Sequence, residues 1–215
     1  MRQARWLAGL VLGLIGCTNA AQERVRIYNA DGVALFAKGD YGDARDSFKA
    51  ALALKPNDTA LLYNVGQCYD RMGNAAKAEL YYNQCLQVAP YHADCRHALD
   101  TLLVNTGRQA EAANRIADWV AREPKRAAAY AEDAWLLHHN GDLPQAQARL
   151  QKALELDPHD PRALTEMALV YEDLHRPDRA VALYQRILAR DPTQTAIAGR
   201  VQFLLVKGAG HPRPE

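Results

Sequence analysis

Residues 59–92 read TALLYNVGQCYDRMGNAAKAELYYNQCLQVAPYH. Leu62, Val65, Gly66 and Tyr69 recur at helical spacing, Gly73 interrupts them, and a second stripe of Ala78, Tyr82 and Cys85 runs up to Pro90. Glycine supplies the positive φ that ends a helix and proline cannot propagate one, so the stretch reads as two helices with a turn between them and a stop behind them. The same punctuation continues in both directions at an interval of 34 residues, in Pro56, Pro90, Pro124, Pro158 and Pro192, in Ala44, Ala78, Ala112, Ala146 and Ala180, and in Gly39, Gly73, Gly107 and Gly141. A period that never slips marks an array of one repeated helix pair.

With the proline at position 32 of a 34-residue unit, five repeats follow one another without gaps at 25–58, 59–92, 93–126, 127–160 and 161–194. Leu62, Val65, Gly66, Tyr69, Ala78, Tyr82, Cys85 and Pro90 then occupy positions 4, 7, 8, 11, 20, 24, 27 and 32, and on these residues the second unit resembles the tetratricopeptide consensus. The resemblance covers residues 25–194. It implies an all-α fold, a right-handed α-α superhelix (a TPR solenoid) of five helix-turn-helix repeats.

The recurring residues have physical reasons. Small residues at positions 8 and 20 (Gly32 with Ala44, Gly66 with Ala78) let the two helices of a unit approach closely, while Tyr28, Leu35 and Phe48 fill the space beside that contact. His175 replaces the turn glycine in the fifth unit and is followed by Pro177; it reads as a strained left-handed turn residue, not a ligand. A stack needs an end, and Ile197, Val201, Leu204 and Leu205 predict a C-terminal capping helix over 195–207 ahead of a disordered Gly- and Pro-rich tail, 208–215.

Composition narrows the function classes. A chain of 215 residues with 49% apolar content has the material for a core. The formal charge of +1 includes Arg2 and Arg5, and without them 24 basic residues face 25 acidic ones, so the clustered basic excess of a nucleic-acid binder is missing. Ser47 is the sole serine and has no Gly-x-Ser-x-Gly elbow around it, which speaks against a serine hydrolase. No motif calls for a cofactor or a small-molecule substrate.

The amino terminus follows a different logic. Arg2 and Arg5 precede an apolar run from Trp6 to Ile15, too short to span a bilayer. It ends in Leu14-Ile15-Gly16-Cys17, which resembles the bacterial lipobox. That resemblance implies a signal peptide over 1–16, lipidation of Cys17, and a short linker over 17–24. Several acyl chains make a stable anchor where one would be marginal. Thr18 stands where an inner-membrane retention signal would place aspartate, so the resemblance implies an outer-membrane lipoprotein facing the periplasm. The alternative is ordinary cleavage after Ala20, which would leave a soluble periplasmic chain.

In the tetratricopeptide family, partners lie on the concave face, lined by positions 2, 5, 6, 9, 12 and 13 of each first helix. The matching residues here include Asn29, Tyr63, Asn64, Gln67, Arg71, His97, Thr101, Asn105, Trp135, His138, His139, Thr165 and Glu172. Trp135 is the expected anchor, because large aromatics dominate binding energy at interfaces. The family's chaperone-binding members clamp a peptide carboxylate with lysine, asparagine and arginine. Asn64 matches, but Asn29, Val33, Asp94 and Ala98 occupy the other positions, so that ligand class is disfavoured.

Cys68, Cys85 and Cys95 fall where the consensus has alanine, and small buried packing is the first reading. An exported chain meets oxidising surroundings, so a Cys85–Cys95 disulfide is a second. A zinc set of Cys85, His92, Cys95 and His97 is disfavoured, because the spacing fits no established pattern and helices are expected to scatter the donors. Asp31, Asp100 and Asp133 stand where small or apolar residues are expected; Asp31 should be exposed, and ion pairing or helix-end hydrogen bonds are the favoured explanation for the others.

The combined expectation is a membrane-anchored, non-enzymatic scaffold or adaptor of the bacterial envelope, of the kind serving pilus or secretin assembly, outer-membrane biogenesis or peptidoglycan-enzyme organisation. A soluble periplasmic peptide-binding scaffold or chaperone-like protein is the alternative, and a hydrolase using Asp100 or Asp133 a remote third.

Overall fold

The computed structural model describes the backbone of residues 4–209 and the side chains of residues 20–207. Among the described residues there are eleven helices and no strand. They are α1 (Ala4–Lys38), α2 (Tyr41–Leu54), α3 (Thr59–Arg71), α4 (Ala75–Val88), α5 (Ala93–Asn105), α6 (Gln109–Arg122), α7 (Ala127–His139), α8 (Leu143–Leu156), α9 (Pro161–Asp173), α10 (Pro177–Leu188) and α11 (Thr195–Ala209). From α3 onward the first helices begin at Thr59, Ala93, Ala127 and Pro161, each 34 residues after the last.

Caps and turns set these boundaries. Asp58 accepts hydrogen bonds from the amides of Ala60 and Leu61, Asn74 from Lys77, Asp142 from Gln145 and Asp160 from Ala163, satisfying amides that a helix start leaves unpaired. At the turn inside each pair, the residue after the left-handed one returns a hydrogen bond to the last turn of the first helix. Asn74 N donates to Tyr69 O at 2.8 Å and Asp142 N to Leu137 O at 2.9 Å. His175 adopts φ 56° and Arg176 N donates to Tyr171 O at 2.8 Å, so histidine closes the fifth turn in the geometry that glycine gives the other four.

The chain forms two compact units, Met1–Gln109 and Ala110–Glu215. In the first, α1 packs on α2, α2 on α3, α3 on α4, and α5 on both α3 and α4. In the second, α7 packs on α8, α9 on both, α10 on α9, and α11 on α10. Ala44, Ala78, Ala112, Ala146 and Ala180 are all fully buried, as are Phe48 and Tyr82 beside the first two. A methyl group on Gly32 would stand 2.6 Å from the Phe48 ring and one on Gly66 2.5 Å from the Tyr82 ring, so in these two units the aromatic ring occupies the space a side chain at position 8 would need. In the second unit Leu150, Leu164, Met167, Tyr184 and Ile187 continue one core to Val201 and Leu204 of α11.

Several details differ from, or resolve, the sequence reading. Residues 17–24, expected as a linker, lie within the continuous helix α1, while residues 1–3 and the side chains of residues 4–19, that of Cys17 among them, lie outside the described residues. The capping helix runs two residues beyond its expected end, to Ala209, and residues 210–215 of the tail lie outside the described residues. No helix among the described residues is long and apolar enough to cross a membrane. Asp31 is exposed, Asp133 pairs with Arg149 at 2.8 Å, and buried Glu132 accepts from Arg162 at 3.2 Å. Asp100 is 1% exposed.

Cys85 and Cys95 form a disulfide between the end of α4 and the start of α5, with Cα atoms 6.5 Å apart. Simple alanine-like packing is therefore replaced by a covalent staple joining consecutive pairs. Cys68 is the free, buried cysteine of α3, and burial pushes its thiol up to about 11 despite nearby Arg45.

Candidate protein-binding surface

In the first unit, Val33, Phe36 and Ala37 of α1, Phe48 of α2 and Tyr63, Asn64 and Gln67 of α3 line an open cavity of about 320 Å³. Its order follows from helical spacing. Val33, Phe36 and Ala37 lie three and four residues apart on one face of α1, and Tyr63, Asn64 and Gln67 do the same on α3. Phe48 rises between them because Gly32 leaves room for its ring.

The cavity combines an apolar floor with carboxamides that keep hydrogen-bonding capacity to spare. Asn64 Nδ2 donates across to Asn29 Oδ1 of α1 at 3.4 Å, and Gln67 Nε2 donates to the Tyr82 hydroxyl at 3.0 Å. Burial pushes the Tyr82 phenol far above its ordinary value. Tyr63 sits 6.1 Å from the Tyr82 ring and stacks on His92 at 6.4 Å. Asp70, one turn beyond Gln67, has its carboxyl raised by burial, with Arg71 working against that shift. A wider cavity of about 500 Å³ takes in Arg26 and Asn29 with Lys55 and Asp58.

Asn29, Tyr63, Asn64 and Gln67 are thus gathered in one region. Arg71 and Asn105 are exposed, and His97 and Thr101 are half-buried on α5. The Thr101 hydroxyl is buried without a hydrogen-bond partner.

The second unit carries a charged cluster. His138 of α7 has its Nδ1 2.6 Å from Glu166 Oε1 and its Nε2 2.8 Å from Asp173 Oδ2, both on α9. A ring with a carboxylate at each nitrogen is fully satisfied when both nitrogens carry protons. Burial opposes that charge, but the hydrogen bonds and charges of Asp173 and Glu166 outweigh it and raise the histidine pKa above its ordinary value.

Glu172 is occupied by the fold, accepting from the Tyr184 hydroxyl at 2.8 Å and from Arg200 Nε at 3.0 Å, which ties α9 to α10 and α11. The Thr165 hydroxyl donates to Pro161 O of its own helix at 2.8 Å. Trp135 is half-buried and stacks at 6.0 Å on His139, itself exposed. A separate hollow of about 730 Å³ is lined by Glu172, Asp173, His175, Pro177, Arg200, Phe203, Leu204 and Lys207.

The sequence reading missed Phe36 and Glu166. They occupy positions 12 and 6 of their units, both groove positions, so the rule that selected their neighbours contained the signal for them.

A sequence profile described as "Tetratricopeptide repeat" matches residues 35–84 and 137–200. The chain belongs to the tetratricopeptide repeat family. Members of this family are generally non-enzymatic, and this TPR protein is a scaffold for protein–protein interaction. It is 34% identical over 87 residues to Photosystem I assembly protein Ycf3 of Rippkaea orientalis (strain PCC 8801 / RF-1), a match covering 39% of this chain and 50% of that relative. It is 41% identical over 51 residues to outer dynein arm-docking complex subunit 4 of Danio rerio, covering 24% of this chain and 10% of the relative. The TPR chain thus spans half the length of the first relative and a tenth of the second.

Among solved structures, TTC0263, a thermophilic TPR protein in Thermus thermophilus, is similar with a TM-score of 0.63 at 23% identity, covering 86% of this chain and 99% of that one. Pseudomonas aeruginosa pilF gives a TM-score of 0.53 at 17% identity, covering 79% and 78%. At such identities the likeness concerns the fold alone.

Proposed function

We propose that this TPR protein is an adaptor that holds a protein segment in the cavity of its first unit while a lipid on Cys17 keeps it at the outer membrane, facing the periplasm. The observation carrying the binding reading is the apolar cavity of Val33, Phe36 and Phe48 edged by Asn64 and Gln67. Apolar side chains of an extended segment fill the floor, and the carboxamides meet its backbone groups. The anchoring reading rests on Leu14-Ile15-Gly16-Cys17 behind a short apolar run. The Rippkaea relative is named as an assembly protein, which agrees with an adaptor role. An envelope adaptor of the pilus, secretin, outer-membrane or peptidoglycan-enzyme type fits both readings, and a soluble periplasmic scaffold is what remains without the lipid.

Two measurements test the two halves separately. The mass of the amino-terminal peptide from the natural host tests the anchor: an acylated Cys17 supports it, and a free start at Ala21 contradicts it. Capture from solubilised envelope tests the cavity. A protein retained by the wild type and lost with Asn64→Ala combined with Gln67→Ala supports it, and equal retention contradicts it.

A further inference from the structure

The donors of Cys85, His92 and Cys95 all lie within 4.8 Å of one another. The α4–α5 corner therefore does not scatter these three, as helical geometry was expected to do; His97, the fourth residue of the disfavoured zinc set, is not part of the group. The reason is local. Cys85 occupies the last turn of α4, Cys95 the first turn of α5, and His92 is the N-cap residue between them, with Nδ1 accepting from Cys95 N at 3.3 Å. A helix end, a cap and a helix start are three places that a tight corner brings together.

We propose that the reduced chain binds one zinc-type divalent cation through Cys85, His92 and Cys95, so that the same corner is stapled by a disulfide in oxidising surroundings and by a metal in reducing ones. Two sulfurs and one imidazole are the donor set that a thiophilic cation without geometric preference favours, with a fourth position left for water or a further ligand. Both cysteines are fully buried, in an apolar cluster with Leu62, while His92 is only half-buried and opens the site towards solvent. Buried thiolates need a compensating charge, and the cation supplies it.

The chemistry balances in two steps. A dithiol or phosphine reductant breaks the S–S bond, adding two electrons and two protons to give two thiols. The cation then displaces both thiol protons to solvent, forming two metal–sulfur bonds, and His92 adds the nitrogen. Sulfurs on a tetrahedral zinc stand about 3.8 Å apart, given bonds of about 2.3 Å. The Cα separation of 6.5 Å accommodates that spacing by rotation of the side chains. Because Nδ1 of His92 caps α5, metal binding at either ring nitrogen gives up this cap, and the metal bridge takes over the role of holding the corner. His92 also stacks on Tyr63, so the occupied site would stand directly behind a wall of the binding cavity.

The test uses the full chain in mild detergent, reduced with a phosphine that is then removed without oxygen, and titrated with Co²⁺ as a spectroscopic stand-in and with Zn²⁺. Expected are one equivalent bound per chain with thiolate-to-cobalt charge-transfer absorption, displacement by Zn²⁺, and no such absorption in the oxidised chain. His92→Asn keeps a capping side chain but removes the donor, and should weaken binding at least tenfold. Cys17→Ser and Cys68→Ala should leave it unchanged. Absence of charge-transfer absorption in the reduced chain would overturn the proposal, as would equal affinity in His92→Asn. So would loss of the helical signal on reduction that added metal does not restore.

Discussion

Nδ1 of His138 lies 2.6 Å from Oε1 of Glu166, joining α7 to α9 in the second unit, and the other ring nitrogen faces Asp173. Burial disfavours the imidazolium, yet the hydrogen bonds and charges of the two carboxylates prevail, and the folded pKa is raised from 6.5. A group whose pKa is higher folded than unfolded stabilises fully below the unfolded value, and that contribution fades as pH rises through the folded value. The wild type should therefore exceed His138→Asn in stability by about 1–3 kcal/mol in mildly acidic solution, with the gap narrowing above neutrality. Thermal midpoints of both proteins across that range check this; a gap independent of pH would show that the cluster does not hold a charged histidine.

Gly66 and Gly199 should respond in opposite directions to alanine. A methyl on Gly66 meets the Tyr82 ring at 2.5 Å, whereas one on Gly199 in α11 meets nothing within 4 Å. Gly66→Ala should destabilise by about 1–3 kcal/mol through overpacking. Gly199→Ala should stabilise by about 0.5–1 kcal/mol through helix propensity. Denaturant unfolding of the two variants decides the matter, and a stabilised Gly66→Ala would refute the close crossing of α3 and α4.

His175→Gly should raise stability by about 1 kcal/mol, because the native φ of 56° is unfavourable for a residue with a Cβ. The glycine's greater unfolded-state entropy reduces that gain but does not reverse it. An unchanged or lowered thermal midpoint would mean that the His175 side chain makes compensating contacts.

Cys85→Ser should lower stability by about 2–3 kcal/mol under oxidising conditions, the entropic worth of closing so short a loop. Cys95→Ser should match it, since either removes the same bond. The check is chemical unfolding with and without reductant: the reductant should shift the wild type towards the variants and leave the variants unmoved.

The helix-pair fold was open to sequence reading because turn, crossing and stop each depend on a residue with few substitutes. Gly73 supplies a left-handed turn, Ala78 a contact with no room for a larger side chain, and Pro90 a backbone that cannot extend the helix. His175 broke the glycine pattern but kept its geometry, as its tolerance for that region predicts. The binding surface was less legible. Position alone marked Glu172 as a groove residue, yet its carboxylate is held by Tyr184 and Arg200, a pairing that depends on how α11 lies against α9 and α10. The joining of Cys85 to Cys95 likewise depends on the corner bringing a helix end back to a helix start, which spacing permits but does not dictate.

The most direct test of the adaptor account is site-specific photocrosslinking in the natural host. A photoreactive residue replaces Val33, which is 52% exposed at the cavity, or Lys49, exposed on α2. The account predicts a discrete crosslinked protein from position 33 that is absent from position 49 and lost when Asn64 and Gln67 are also changed to alanine. Crosslinks of the same pattern from both positions, or a position-33 adduct that survives the two alanines, would contradict it.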